Sequence, residues 1–333
     1  MIRRPLLVAC ALMALVAGVA GCGDDPEPAA DARKVDLVLD WFPNADHAGI
    51  YGAVGEGYFA DEGLDVTPTV PSDPAASLKQ VGAGRAPFAV SYEPEVLLAR
   101  SQGVPVIAIA AIVTHPLNSV IVRRDRGVSR PLDLEGKTVG AAGLPTDRPL
   151  LDAVVRSDGG DPSRVSVRNV GFNLVPALAA GRVDALIGAY WNIERVQLER
   201  EGVPVDVFRL EENGVPDYDE LVLVTSDEVA REEPELVRSF LRALRKGQDW
   251  AATDQSGATA HLLEANEDLD EETVDEQVRL TADLFSPPDG PTLRLDPGEW
   301  AAMADWMRGN GLLTKPLDVS QVVTERFLPE APG

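Results

Sequence analysis

Two short patterns recur in the same order along this chain. Ala83-Gly84-Arg85 stands before an apolar run at Phe88–Val90, and Gly103-Val104-Pro105-Val106 begins 19 positions after Gly84. Ala180-Gly181-Arg182 stands before a run at Ala185, and Gly202-Val203-Pro204-Val205 begins 21 positions after Gly181. Each copy reads as a helix, a Gly-Arg turn, a strand, a polar-aromatic loop, a helix, a Gly-capped end and a second strand. A repeat of that size restricts the chain to two related α/β lobes.

The surrounding pattern agrees. Val35–Leu39 alternates as a strand does. Asp46–Phe59 reads as a helix weakened by Gly49, Gly52, Gly55 and Gly57. Leu64–Val70 is a strand, and Asp73-Pro74 opens a helix running to about Val81. Phe88–Val90, a helix Pro94–Gln102 and the apolar strand Val106–Val113 follow. Ser119–Arg124, the stretch Arg130–Gly136 and the strand Lys137–Ala141 lie between the two copies. Past the second copy come a strand, Leu221–Thr225, and a helix from Glu235 to about Asp254 with Leu236, Phe240, Leu244 and Trp250 on one face. The rest is helical and acidic, with an exposed break at Pro287–Pro291. This order predicts an α/β protein of two lobes, each a mostly parallel sheet flanked by helices. Residues 35–115 plus 221–326 form the first lobe and 116–220 the second. The crossings near His115–Asn118 and Asp217–Glu220 form a hinge.

Residues 1–21 read as a secretion signal: Arg3 and Arg4, a short apolar run, then small residues. Val19-Ala20-Gly21-Cys22 resembles a bacterial lipobox, with Cys22 as the lipidated first residue and 22–34 as a flexible tether. The plainer alternative is an ordinary cleaved signal beside a chance cysteine. Cys10 lies inside the signal, so the mature chain holds no disulfide framework, cysteine metal site or cysteine nucleophile. The formal charge of −24 becomes −26 once Arg3 and Arg4 are removed. No basic face is visible, so nucleic acid is excluded as a partner. The three histidines, His47, His115 and His261, have no metal-ligand spacing, and no metal or cofactor is expected.

In open α/β sheets ligands bind beyond the carboxyl ends of the strands. Three loops lie there: Asp40–His47, Ser91-Tyr92-Glu93-Pro94 and Ala189–Glu194. Their candidate ligand-binding residues are Trp41, Asn44, His47, Tyr92, Glu93, Tyr190, Trp191 and Glu194. The same residues have plainer uses. Trp41 and Trp191 can seal helices onto a sheet, Glu93 can favour a helix dipole, and His47 can cap its own helix. Ser91 has no nucleophile elbow around it, and no catalytic residue is expected.

Several of these stretches resemble one family. They are Asp40-Trp41-Phe42-Pro43-Asn44, His47, Gly49–Tyr51, Gly57-Tyr58-Phe59 and Glu62–Val66. Further matches are Gly84-Arg85, Ser91-Tyr92, Gly103-Val104-Pro105, Leu134–Lys137, Pro234–Val237, Trp306 and Asn310-Gly311-Leu312. The resemblance is to the thiamine-pyrimidine family. That family joins fungal pyrimidine synthases to bacterial periplasmic proteins that bind pyrimidine precursors of thiamine. It implies a type II periplasmic-binding fold, a ligand cleft between the lobes and delivery to an ABC permease and ATPase. The synthases carry a lysine that binds pyridoxal phosphate, a donor histidine four residues on, and a cysteine-rich iron motif. Ser91 and Glu95 stand at the first two positions here, and the mature chain has no internal cysteine. The binding branch usually has Trp-Gly after the strand at Val139; this chain has Ala142-Gly143-Leu144.

The residues themselves suit a small flat heterocycle. Stacked rings from opposite lobes contribute about 0.5–1.5 kcal/mol per aromatic pair beyond area burial. A carboxylate accepts from an exocyclic amine, with Glu194 as first choice and Glu93 as second. None of the three loops contains Arg or Lys, which disfavours sulfonate, nitrate or phosphate; Arg148 is the reservation. The expectation is therefore a monomeric, lipid-anchored, extracytoplasmic substrate-binding protein of an ABC importer, not an enzyme. Its ligand is a hydroxymethylpyrimidine or formylaminopyrimidine. Riboflavin, a cationic amine or a sulfonate, a sensing role and a pyrimidine-forming enzyme are the alternatives.

Overall fold

The computed structural model describes residues 32–285 and 292–330. The signal, Cys22 and most of its tether, and Pro287–Pro291 lie outside the described residues; Arg33 and Lys34, expected at the end of the tether, are instead part of the first strand. Among the described residues ten strands form two five-stranded sheets. The first contains β1 (Arg33–Val38), β2 (Leu64–Thr69), β3 (Phe88–Ser91), β4 (Val106–Val113) and β10 (Leu221–Ser226), in the order β2-β1-β3-β10-β4. The second contains β5 (Asn118–Arg123), β6 (Thr138–Ala141), β7 (Ser166–Asn169), β8 (Ala185–Tyr190) and β9 (Val205–Arg209), in the order β7-β6-β8-β5-β9.

The two orders match strand for strand. The sequence repeat falls on equivalent strands: β3 and β8 follow the Gly-Arg turns, and β4 and β9 begin at the Val-Pro-Val runs. Gly84 and Gly181 both adopt φ +67°, which a side chain would make costly.

Each sheet is mostly parallel in strand direction, as the sequence predicts: four of its five strands share one direction and one runs against them. β1–β2, β1–β3, β6–β7 and β6–β8 run parallel, whereas β10 and β5 run antiparallel to both their neighbours. The cause is the crossing of the chain. β5 and β10 are the first strands after each crossing, and they enter at the carboxyl ends of β8 and β3. Asn118 lies opposite Tyr190, and Val222 opposite Ser91. A strand entering at that end has to run against its neighbour.

The helices are α1 (Ala48–Gly55), α2 (Tyr58–Asp61), α3 (Ser77–Gly82), α4 (Glu93–Ser101), α5 (Asp147–Ser157), α6 (Leu174–Ala179), α7 (Glu194–Arg200), α8 (Asp227–Glu232), α9 (Pro234–Thr253), α10 (Gln255–Ala265), α11 (Glu271–Phe285) and α12 (Pro297–Gly309). The helix expected over Asp46–Phe59 is split in two at Gly57. Its glycines serve packing, because α1 lies against α9. Helix α9 buries Leu236, Phe240 and Leu244 as its periodicity requires, while Trp250 lies to one side, partly exposed against His261. The ring of Phe240 lies 4.8 Å from Phe59 and 4.3 Å from Phe88. Burying a side chain of that size stabilises the lobe by about 1.5–3 kcal/mol. No described helix is long and apolar enough to cross a membrane.

Candidate functional site

Between the two sheets lies a narrow, partly open cleft lined by residues of both. Asp40, Trp41, Asn44 and Tyr92 come from the loops after β1 and β3. Asn118, Ala142, Leu144, Tyr190 and Glu194 come from the second sheet's side, and Tyr218 and Glu220 from the second crossing. None of the lining residues is Lys or Arg.

The loop after β1 is fixed by its own polar groups. Asn44 Oδ1 accepts the backbone N–H of Asp46 at 2.8 Å, and Asn44 N–H donates to Nδ1 of His47 at 3.3 Å. The proton of His47 is therefore on Nε2, which donates to Asp40 Oδ1 at 2.8 Å. The Tyr92 hydroxyl donates to the other oxygen of Asp40 at 2.9 Å. Asp40 is thus aimed by a histidine behind it and a tyrosine beside it.

Glu220 ties the crossings together. Its Oε2 accepts the N–H groups of Leu117 and Asn118, both at 2.8 Å, and the Tyr218 hydroxyl at 3.0 Å. Its Oε1 accepts the Tyr190 hydroxyl at 3.1 Å. Glu194, at the start of α7, accepts the Tyr190 N–H at 2.7 Å. Burial pushes both carboxyls up to about 7, against the lowering effect of these backbone donors. The cleft therefore gathers carboxyl groups that no cationic side chain in its walls balances, and burial holds Glu194 and Glu220 partly protonated near neutral pH.

The eight residues singled out from sequence separate into two groups. Trp41, Asn44, Tyr92, Tyr190 and Glu194 line the cleft. His47, Glu93 and Trp191 do not, and this corrects their expected place. His47 is buried behind Asp40. Glu93 is buried too, and its Oε2 accepts the N–H of Asp219 at 2.8 Å, pinning the second crossing to α4. Trp191 donates its indole N–H to the carbonyl of Pro116 at 3.2 Å, and the Arg209 guanidinium lies 4.2 Å from the centre of its ring. It braces the first crossing.

Arg148 is also directed away. Its guanidinium binds Asp152 at 2.6 Å and the carbonyls of Pro162 and Val165. The Ala142-Gly143-Leu144 segment supplies an aliphatic wall, held by Asp147, which accepts the N–H groups of Gly143 and Leu144 at 2.8 and 2.9 Å. Asp40, Asn118, Tyr218, Glu220 and Phe172 were not among the candidates. Phe172, in the loop after β7, lies 4.7 Å from Trp41 and 4.8 Å from Phe42, closing an aromatic cluster across the lobes. The rule that ligands lie beyond strand carboxyl ends, applied to β7 and to the crossings, points to Phe172 and Asn118.

The positions that matter for synthase chemistry are occupied differently. Ser91 is buried at the end of β3 and offers no amine for a Schiff base. Glu95 accepts both the N–H and the hydroxyl of Thr146, at 3.1 and 2.5 Å, across the lobes. These residues do not fit pyridoxal phosphate held in the synthase manner. Among the described residues no group of His, Cys, Asp and Glu is placed to hold a metal.

The chain is similar to known proteins over most of its length. The family described as NMT1/THI5 like matches residues 44–258. The formylaminopyrimidine-binding protein of Halalkalibacterium halodurans is 37% identical over 289 residues, 86% of this chain and 88% of that one. A 4-amino-5-hydroxymethyl-2-methylpyrimidine phosphate synthase of Legionella pneumophila is 26% identical over 302 residues, 90% of this chain and 93% of that one. The alkanesulfonate-binding protein SsuA of Xanthomonas axonopodis pv. citri, solved with MOPS bound, superposes with a TM-score of 0.72 at 17% identity, covering 89% of this chain and 99% of that one. At that identity the last likeness shows the fold, a two-lobed periplasmic-binding architecture. By the extent of the family match and the identity to the Halalkalibacterium protein, this chain belongs to the NMT1/THI5-like family.

Proposed function

We propose that the chain is the substrate-binding component of an ABC importer and captures a pyrimidine precursor of thiamine. The observation that carries this reading is the cleft itself: Trp41, Tyr92, Tyr190 and Tyr218 around Asp40, Glu194 and Glu220, with no cationic side chain in the wall. An aminopyrimidine presents two apolar faces to the rings, and its exocyclic N–H groups donate to carboxylates. A sulfonate or a phosphate is favoured by cationic side chains, which this wall does not supply. The Halalkalibacterium relative is named for a ligand of this kind. Binding rather than synthesis is supported by Ser91 and Glu95, which supply neither of the synthase side chains. The importing permease and ATPase are the partners this function requires.

Calorimetric titration tests the reading, using formylamino-, hydroxymethyl- and aminomethyl-pyrimidines, riboflavin, choline and taurine. Tight, saturable binding of one of the pyrimidines is expected. Taurine binding without pyrimidine binding would overturn it, and choline binding that depends on Trp41 would replace it with a cation–π site.

The lipobox-like segment supports anchoring through Cys22 on the outer side of the cell membrane. Intact-mass analysis of protein from its native host should give a lipidated chain beginning at Cys22. Cys22→Ala should remove the lipid and the partition into detergent. A soluble, unlipidated wild-type protein would rule the anchor out.

A further inference from the structure

The lobes touch directly at a buried polar contact that the cleft chemistry does not use. Asp46 sits just after Asn44, on the first lobe. Asn192 sits between Trp191 and Ile193, on the second. Asn192 Nδ2 donates to Asp46 Oδ1 at 2.6 Å and to Thr281 Oγ1, on α11, at 2.8 Å. The Thr281 hydroxyl spends its own proton on the carbonyl of Gln277 at 2.8 Å, so it accepts from Asn192 and fixes which way the amide faces. Gln277 in turn donates to the carbonyl of Ile193 at 3.1 Å. Asp46 and Asn192 are almost wholly buried. Asp46 Oδ2 and Asn192 Oδ1 have no hydrogen-bond partner.

Two buried orphan acceptors on one contacting pair are costly as they stand. A single proton resolves both. On Asp46 Oδ2 it converts one acceptor into a donor, removes a buried charge, and gives Asn192 Oδ1 a partner. Carboxyl and carboxamide then exchange two hydrogen bonds as a cyclic pair. The charged groups that face Asp46 work in the same direction. They are the carboxylates of Asp40, Glu194 and Glu220, while the neighbouring His47 directs its proton at Asp40. The polar groups from the second lobe and from α11 are Asn192 and Thr281.

From this geometry we infer that Asp46 and Asn192 form a proton-dependent latch, in which closing of the lobes takes up one proton on Asp46. The inference rests on the reading that the lobes close around a ligand, and it deepens that reading by making closure, and hence capture, depend on pH. The sign follows from linkage. Burial and the facing carboxylates raise the carboxyl of Asp46 well above its ordinary range in the closed form. In an open form Asn192 withdraws and water reaches the carboxyl, which brings it back toward its ordinary range. Below the ordinary carboxylate range the latch contributes fully. Its contribution is lost as pH rises through the closed-form value. Between these limits one proton is taken up, so closure weakens about tenfold per pH unit.

Asp46→Asn decides the matter, because an amide at this position reproduces the protonated acid: its oxygen accepts from Asn192 and its NH2 donates to Asn192 Oδ1. Pyrimidine affinity of the full chain is measured from pH 5 to 8 for wild type, Asp46→Asn and Asp46→Ala. The pH response of Glu194 and of the ligand is common to wild type and Asp46→Asn, so the ratio of their affinities isolates the latch. That ratio should move against wild type as pH rises, by about tenfold per unit within the window. Asp46→Ala should close poorly throughout. A ratio constant with pH, or Asp46→Asn as impaired as Asp46→Ala, overturns the latch. X-ray scattering of the ligand-free protein reads the same device without a ligand. Wild type should expand as pH rises while Asp46→Asn stays compact; equal expansion of both overturns it, even if no pyrimidine binds.

Discussion

Replacing Glu194 by Gln should weaken capture of an aminopyrimidine by about ten- to a hundredfold. A charged hydrogen bond contributes roughly 1.5–3 kcal/mol, and each 1.4 kcal/mol is a factor of ten in affinity. Gln keeps the shape of the side chain. Its amide oxygen can still accept the Tyr190 N–H that Glu194 Oε2 accepts at 2.7 Å. What changes is the other end, where an NH2 replaces a carboxylate oxygen and meets the N–H donors of the ligand. The pH dependence carries the same message. Burial holds Glu194 up to about 7 in the protein alone, and ligand donors stabilise its ionised form. For a neutral ligand, the affinity of wild type relative to Glu194→Gln should therefore fall as pH drops below about 7, because a proton has to leave the carboxyl first, and the ratio cancels the response of Asp46 that both proteins share. Glu194→Gln should lose that contribution. Titration of both proteins with one pyrimidine at several pH values checks it. An unchanged affinity would place the anchor elsewhere, with Asp40 the next carboxylate along the wall.

Much of this architecture was legible in the sequence, and the part that was not has a physical cause. The duplication of the Gly-Arg and Gly-Val-Pro-Val patterns identified two equivalent lobes, because glycines at positive φ and prolines at strand starts are read locally. The direction of β5 and β10 is not a local property. Alternation in Val222 or Val120 is the same whether the neighbour runs with it or against it, and only the path of the crossing decides. The cleft was half legible for a similar reason. Trp41, Tyr92, Tyr190 and Glu194 follow strands, and that position alone directs them inward. Glu93 also follows a strand, yet its carboxylate turns to the N–H of Asp219, more than a hundred residues away in sequence. Trp191 is next to Tyr190, and one step along the chain turns it from the cleft to the crossing at Pro116. Glu220 was assigned to the hinge. Its place in the cleft depends on Leu117, Asn118 and Tyr190 arriving from the other lobe, which no window of sequence contains. The aliphatic Ala142–Leu144 wall was visible as a departure from the family pattern. Its support by Asp147 was not.

Gly247→Ala should be strongly destabilising, at about 3 kcal/mol, the upper end for overpacking. A Cβ at Gly247 would stand 2.1 Å from the carbonyl oxygen of Gly49, 2.7 Å from the Cβ of Ala53 and 2.9 Å from its nitrogen. Two of these are backbone atoms of α1, so no rotamer change relieves the collision; α1 has to move off α9. Gly49 faces the same contact, with Gln248 against it, and Gln248 is itself held by a 3.0 Å hydrogen bond to the carbonyl of Ile112 in β4. At roughly 2–4 °C per kcal/mol for a domain of 150–250 residues, the melting temperature should fall by about 6–12 °C. The loss extends to function, because α1 follows directly from the loop carrying Asp40, Trp41, Asn44 and Asp46. A displaced α1 carries away the lobe 1 wall and the contact to Asn192 together, so ligand affinity should drop even where the variant remains folded. Gly309→Ala is the matched comparison. An added methyl there meets no atom within 4 Å, and replacing a helical glycine by alanine is neutral to mildly stabilising. Thermal and urea denaturation of the two variants, with affinity measured below the transition, separates close packing from a general intolerance of added methyls. Equal midpoints for both would mean that α1 and α9 do not meet as described.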